Sequence, residues 1–417
     1  MMTGMWVGLP ARTVRRSALL VAAAVATSAA VAACSGGGHP PASTTSGAVS
    51  PAARAAAAGT PTAPPAEAAP AHLLPGMPPP TDPRNVYAAD GPGDLSPVAR
   101  HARPLIYVPE TKSNDVRVID PATYKVVERV RNAGVEVQHV IPSYDLKTLY
   151  AAGDNSNTLL EFDPRTGRPG RRIHVADPYN LYFTPDGRHA IVVAEALKRL
   201  DFYDPHTWRL QHSLAVPECA GVDHMDFTAD GRTLLASCEF ASRMIVVDVA
   251  RQAVLRTIPL TRVAGGMPQD VKLSPDGRVF YVADMMANGV YEIDGTASRV
   301  VGFVPTGKGT HGLYVDRSGR RLFITNRGEG SVSVLDLASR RVAAIWRIPG
   351  GGSPDMGGVS ADGRVLWLSG RYDGVVYAIR TTDGHLLAKI PVGSGPHGLC
   401  VWPQPGRYSL GHTGILR

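Results

Sequence analysis

The sequence has 417 residues, 44% of them hydrophobic, with 43 Lys+Arg against 36 Asp+Glu. That is enough chain for a large core, and too much for one ordinary domain of about 150 residues unless the fold is a big ring or barrel. Four cysteines exclude a disulfide scaffold, and no pair has zinc-finger or haem-attachment spacing. The excess positive charge is not clustered into the stripe that a nucleic-acid partner requires.

Arg12, Arg15 and Arg16 precede an apolar stretch from Ser17 to Ala33 that ends in small residues. This is the layout of a secretory signal. Val31-Ala32-Ala33-Cys34 resembles a bacterial lipobox, which implies a signal peptide over residues 1–33 and lipidation of Cys34. The Arg15-Arg16 pair does not decide between general and twin-arginine export. No later segment has 18 consecutive apolar residues, so the expected membrane attachment is the lipid alone. Residues 34–100 are dominated by Ala, Pro, Gly, Ser and Thr. Such a tract offers little apolar surface to offset ordering entropy, and reads as a disordered tether.

Residues 101–417 form the expected folded body, and they repeat. A short apolar run closing on an acid recurs at Val118-Ile119-Asp120, Glu161-Phe162-Asp163, Phe202-Tyr203-Asp204, Val246-Val247-Asp248, Glu292-Ile293-Asp294 and Val334-Leu335-Asp336, with a degenerate Ala378-Ile379-Arg380. The closing residues are 41–46 positions apart. Between them, Pro185-Asp186-Gly187, Ala229-Asp230-Gly231, Pro275-Asp276-Gly277 and Ala361-Asp362-Gly363 keep the same period, each flanked by alternating apolar runs that signal a hairpin. Several short strands per unit at this period predict an all-β, seven-bladed β-propeller with four-stranded blades. Pro104-Leu105-Ile106-Tyr107-Val108 matches the second strand of later units, and the missing first strand returns as His397-Gly398-Leu399-Cys400-Val401-Trp402. The C-terminal strand is therefore expected to close blade 1. The segments Lys308–Val315, Leu322–Asn326 and Gly395–Leu399 resemble the YVTN family of propeller repeats, although Asp223, Gln269 and Asp355 stand where that repeat has His. The resemblance implies a propeller working largely outside the cytoplasm.

The strand order assigns two faces. The Asp-Gly turns lie on one, and the variable loops, such as Glu195–Lys198, Cys238–Phe240, Asp284–Asn288 and Arg371–Asp373, lie on the other. Function concentrates on variable loops over a fixed scaffold, and just inside that face sits a polar ring at the innermost strand starts. His139, Asp223, His224, Asp270, His311, Asp355 and His397 are its candidate ligand-binding members. The competing expectation is that such residues cap strands. If the acids and histidines converge, the acids should raise the histidine pKa values.

Cys219 and Cys238 both reach the variable face, so a disulfide between them is expected in an oxidising compartment, with Cys400 a buried thiol. Met225, Met267, Met285, Met286 and Met356 map to the same face, where thioether and imidazole together suit copper. Gly307–Gly312 and Gly393–Gly398 match G-x-G-x-x-G but lead into strands, without the helix a dinucleotide site needs. No catalytic residue set and no metal-ligand set is assigned, and no cofactor is specified. The expected function is a non-catalytic, monomeric binding scaffold in the cell envelope, for an envelope protein, a glycan or a small ligand. The alternative is a propeller enzyme or a copper- or haem-type protein with its site at the channel mouth.

Overall fold

The computed structural model describes residues 72–417; the expected signal peptide, Cys34 and the expected tether through residue 71 lie outside the described residues. The repeat folds as a seven-bladed propeller, each blade an antiparallel four-stranded sheet. Blade 2 shows the unit, with Val137–Pro142 innermost, then Leu149–Gly153, Thr158–Phe162 and Pro169–His174 outermost. Blades 3 to 7 begin at Pro178–Phe183, Val222–Phe227, Pro268–Leu273, Thr310–Val315 and Pro354–Val359. Their inner strands are buried at nearly every position. Pro169–His174 is mostly exposed, so it can carry charge.

Closure follows the repeat arithmetic. Cys400–Trp402 pairs with the strand Leu105–Glu110 of blade 1, setting Trp402 opposite Leu105. The Asp-Gly turns are fastened by a second periodic element. Thr184, Thr228, Ser274 and Ser360 each donate a hydroxyl hydrogen bond to the Asp two residues on, at 2.5–2.6 Å, which preorganises the hairpin locally.

Two segments outside the repeat complete the body. Residues 72–100, which composition placed in the tether, lie across the turn face. The amide of Leu74 donates to Asp230 O (2.8 Å), that of Val86 to Pro275 O (2.8 Å) and that of Gly93 to Ala361 O (2.9 Å). Asp90 pairs with Arg317 at 3.0 Å. This strap thus touches the turns of blades 4, 5, 6 and 7 in succession. From blade 1, residues 403–417 turn into the channel. The Ser409 amide donates to Tyr144 O (3.0 Å), Gly411 registers against Tyr182 of the blade 3 inner strand, and the turn His412–Gly414 touches inner strands of several blades. Gly411 has φ 135°, and a Cβ there would lie 2.6 Å from the Tyr182 ring, so only glycine lets the backbone pass.

Arg417 ends this path in a buried ion pair, Nη2 to Asp226 Oδ1 at 2.9 Å, with its guanidinium over Tyr87 of the strap. Removing one member of such a pair leaves the other charge buried and uncompensated. Arg417→Ala should therefore cost about 3–5 kcal/mol, read as a lower urea midpoint at unchanged slope; a loss within 0.5 kcal/mol, the ordinary surface range, would show that the tail does not fix the floor.

Candidate functional site at the channel throat

The innermost strands run from the variable face to the turn face, so their first residues gather at one end of the channel. His139, Asp223, His224, His311, Asp355 and His397 all lie there, none more than 3% exposed. They form two adjoining groups. In one, Asp355 accepts from His397 Nδ1 at 2.8 Å, lies 3.1 Å from His311 Nδ1, and receives Arg327 Nη1 at 3.0 Å. Arg371 Nε stands 3.9 Å away. In the other, His224 Nε2 lies 3.1 Å from Asp223 Oδ1, and His412 of the tail packs against His139 and His224 at ring-centroid distances of 4.2 and 5.1 Å. His139 joins the groups, its ring 4.8 Å from that of His397.

Part of the ring braces strands, as the competing expectation held. Asp270 accepts from the amides of Val271 and, in the next blade, Leu313, both at 2.9 Å. Equivalent inter-blade braces run from the Met225 amide to Tyr182 Oη (3.3 Å), from the Leu273 amide to Asp226 (2.8 Å) and from the Gly357 amide to Tyr314 Oη (2.6 Å). Asp270 therefore belongs to the belt that holds the blades together. The methionines do not assemble with the imidazoles either. Met225 sits in an apolar cluster with Cys219 and Cys238, the Met356 sulfur accepts from Tyr314, and Met285 receives Arg327. The imidazoles meet one another instead.

Burial decides the electrostatics, and it overturns the expectation that acidic neighbours raise the histidines. Desolvation penalises imidazolium more than the neighbouring carboxylates favour it. His139 and His311 are pushed down to about 3, and His224, His397 and His412 also fall well below the ordinary range, in each case chiefly through burial. Burial would push Asp355 up, but the cationic and hydrogen-bonding groups around it, His311, Arg327 and His397, hold it well below the carboxylate range. With the imidazoles neutral, Arg327 supplies the compensating charge. Across the throat, Asp223 is raised by burial and then by Glu239 and Glu195, and Glu239 is itself raised by burial. One wall is thus a fixed carboxylate–arginine pair, the other a set of acids that favours added positive charge.

For a histidine depressed from 6.5 to about 3 on folding, the associated stability is complete above about pH 6.5 and is lost as pH falls toward 3. Asp270, raised to about 6 by burial, works in the opposite direction, so the test belongs on individual resonances. In histidine-labelled protein, the His139 and His311 ring signals should stay at neutral-imidazole positions from pH 7 to about pH 4; titration near 6.5 would contradict the account.

Cys219 and Cys238 are joined in a disulfide, with Cα atoms 4.8 Å apart. It ties the junction before the Asp223-His224 strand to the residue preceding Glu239. Cys400 is a buried free thiol that burial pushes up to about 12. A 19-residue separation puts the bond's contribution at about 3 kcal/mol. The Cys219→Ser/Cys238→Ser protein should lose stability of that order in a denaturant melt, and equal stability would show that the bond does not constrain the fold.

Sequence reasoning missed His412. It lies outside the repeat, where periodicity says nothing. The available signal was Tyr408, Leu410, Ile415 and Leu416, four large apolar side chains in a tail too short to bury them alone. Arg371 and Glu239 fell in loops marked as variable, and Arg327 in the matching loop after Asn326, but their place at the throat depends on how adjacent blades meet. Around the throat, Leu197, Phe240, Met286 and Tyr372 are exposed on the rim.

A 6-phosphogluconolactonase from Serratia proteamaculans is 25% identical over 163 residues, 36% of this chain and 48% of that protein; the chain spans about half the length of the curated relatives it matches. Among solved structures, dihydro-heme d1 dehydrogenase NirN in complex with DHE superposes with a TM-score of 0.56 at 17% identity, covering 82% of this chain and 83% of that one. Hydrazine synthase of Kuenenia stuttgartiensis gives 0.52 at 17% identity, covering 62% and 87%. At such identities these two share the fold alone. The model of the YNCE-like beta-propeller family matches residues 87–405, nearly the whole ring, and the chain belongs to that family.

Proposed function

We propose that the chain is an extracytoplasmic lipoprotein, anchored through Cys34, whose propeller binds a small ligand at the channel throat without transforming it. One observation carries this reading. At the throat, polar atoms shielded from water lack a hydrogen-bond partner on different blades at once: Gln138 Oε1, His139 Nε2 and Arg371 Nη1. Leaving such groups unsatisfied costs about 1–3 kcal/mol each, a cost that a ligand meeting several of them together would offset. The tail and strap block the opposite end, so entry is from the variable face. Because the throat side chains are nearly fully buried, a small ligand fits better than a protein or a glycan chain. Arg232 Nη1 donates to the carbonyl of His72 at 2.9 Å, which fixes the start of the strap on the turn face.

A second reading rests on the Asp355–His397 pair, which has the geometry of an oriented general base, and on the activity named for the Serratia relative. It is hydrolysis of a sugar lactone, tested by turnover of 6-phosphogluconolactone.

Two measurements test the main reading. Cys34→Ala should move the protein from membranes to the medium, and unchanged retention would refute the anchor. Native mass spectrometry of the full chain from its own host should show a bound species that His311→Ala/His397→Ala loses while the fold survives. If the variant keeps the species and only melts earlier, by about 1–3 kcal/mol of stability, the histidines brace loops and the throat is not the site.

A further inference from the structure

Three histidines of the throat come from parts of the chain far apart in sequence: His139 on the blade 2 inner strand, His224 on that of blade 4, and His412 on the tail. All are buried, and one ring nitrogen from each lies within 4.8 Å of the others.

His139 is set up as a ligand. Its Nδ1 is 2.8 Å from Tyr179 O, and a carbonyl only accepts, so Nδ1 carries the hydrogen and Nε2 presents a lone pair. That Nε2 is buried and has no hydrogen-bond partner. A backbone carbonyl behind one nitrogen while the other faces an ion is the usual second-layer support of a metal-bound imidazole. The ring lies flush on Gly398, where a Cβ would come within 1.9 Å of His139 Cδ2, so its position is fixed on that side too. The His224 ring is held by Tyr182 Oη and Asn180 Nδ2, each 3.2 Å from Nδ1. Beside its Nε2 stands Asp223, 3.1 Å away and 1% exposed. Without metal the imidazole N–H points at this carboxylate; ligation through Nε2 moves the hydrogen to Nδ1, where the Tyr182 hydroxyl accepts it, leaving Asp223 as fourth ligand or counter-charge.

The geometry points to a divalent transition-metal site, His139, His224 and His412 supplying three imidazole nitrogens and Asp223 the balancing carboxylate. This rests on the reading of the throat as the binding site and names the class of ligand. The donors select the metal. Three imidazoles with no thiolate suit zinc or copper(II) and do not suit soft copper(I) or an iron–sulfur cluster. Zinc–nitrogen bonds of about 2.0–2.1 Å place tetrahedral ligand nitrogens roughly 3.3 Å apart. The donor atoms must therefore draw together by about 1–1.5 Å from their widest separation, and the tail turn bearing His412, between Gly411 and Gly414, is the element that moves. Metal binding is accordingly coupled to the seating of the C-terminal segment.

The test uses the full chain, stripped with chelator and titrated with Co²⁺, then competed with Zn²⁺. The expected result is one Co²⁺ per chain with the strong visible bands of a four-coordinate ion, displaced by Zn²⁺. His139→Ala and His412→Gln should each weaken binding by about 100-fold or more, with His412→Gln carrying the test if His139→Ala fails to fold. Co²⁺ binding of equal strength in a folded His412→Gln protein would overturn the site, as would a wild type that takes up neither ion. If no ion binds but the host-derived species is still lost in His311→Ala/His397→Ala, the metal inference falls and the throat reading stands. Absence of both results removes both.

Discussion

The ion pair between Arg417 and Asp226 is the contact on which the centre of this molecule depends. A seven-bladed ring leaves an axial channel that blade strands do not fill, and here residues 403–417 enter it. Asp226 is engaged from three directions, by its neighbour's amide at 2.7 Å, the Leu273 amide of the next blade at 2.8 Å and the Arg417 guanidinium at 2.9 Å. The same carboxylate thus ties blade 4 to blade 5 and the tail to both. The surrounding floor holds Asp90, Asp226 and Asp270 with Lys272, Arg317 and Arg417, so its formal charges balance although all six are buried. Such pairs stabilise little beyond their desolvation cost, but breaking one is expensive, and that asymmetry favours a single seating of the tail.

Seating the tail makes the channel blind and dry at its deep end, and dryness governs the chemistry above it. Imidazoles that would be half-protonated in water are held neutral, which suits lone-pair donation and hydrogen-bond acceptance. Asp355 keeps its charge against burial through His311, the Arg327 guanidinium 3.0 Å away and the His397 hydrogen bond. Across the throat Asp223 is raised by burial and by its acidic neighbours, so an entering cation is drawn to the side of Asp223, His224 and His139. Two walls of opposite character give a ligand a defined orientation.

The fold was legible because blade geometry is local. Alternation, Asp-Gly turns and a period near 43 residues each constrain a few neighbouring positions, and strand counting then placed Cys400–Trp402 in blade 1. What lay between blades, or outside them, was not legible. The strap carries Leu74, Val86, Tyr87 and Leu95, sparse apolar residues in a proline-rich composition whose partners are turns of blades 4 to 7, hundreds of residues away for some. His412 has no repeat position. The sign of the histidine shifts failed for a related reason. A sequence shows that acids and histidines share a strand end, but whether charge attraction or desolvation dominates depends on how completely water is excluded, and the tail decides that.

The most direct test of the throat as a site floored by the tail is a crystal structure of the protein grown with Zn²⁺, with data collected on both sides of the zinc absorption edge. The account predicts an anomalous peak within about 2.0–2.1 Å of nitrogens on His139, His224 and His412, with Arg417 still paired to Asp226 beneath it. A tail lying outside the channel, or zinc found only at surface carboxylates and exposed histidines, would contradict it.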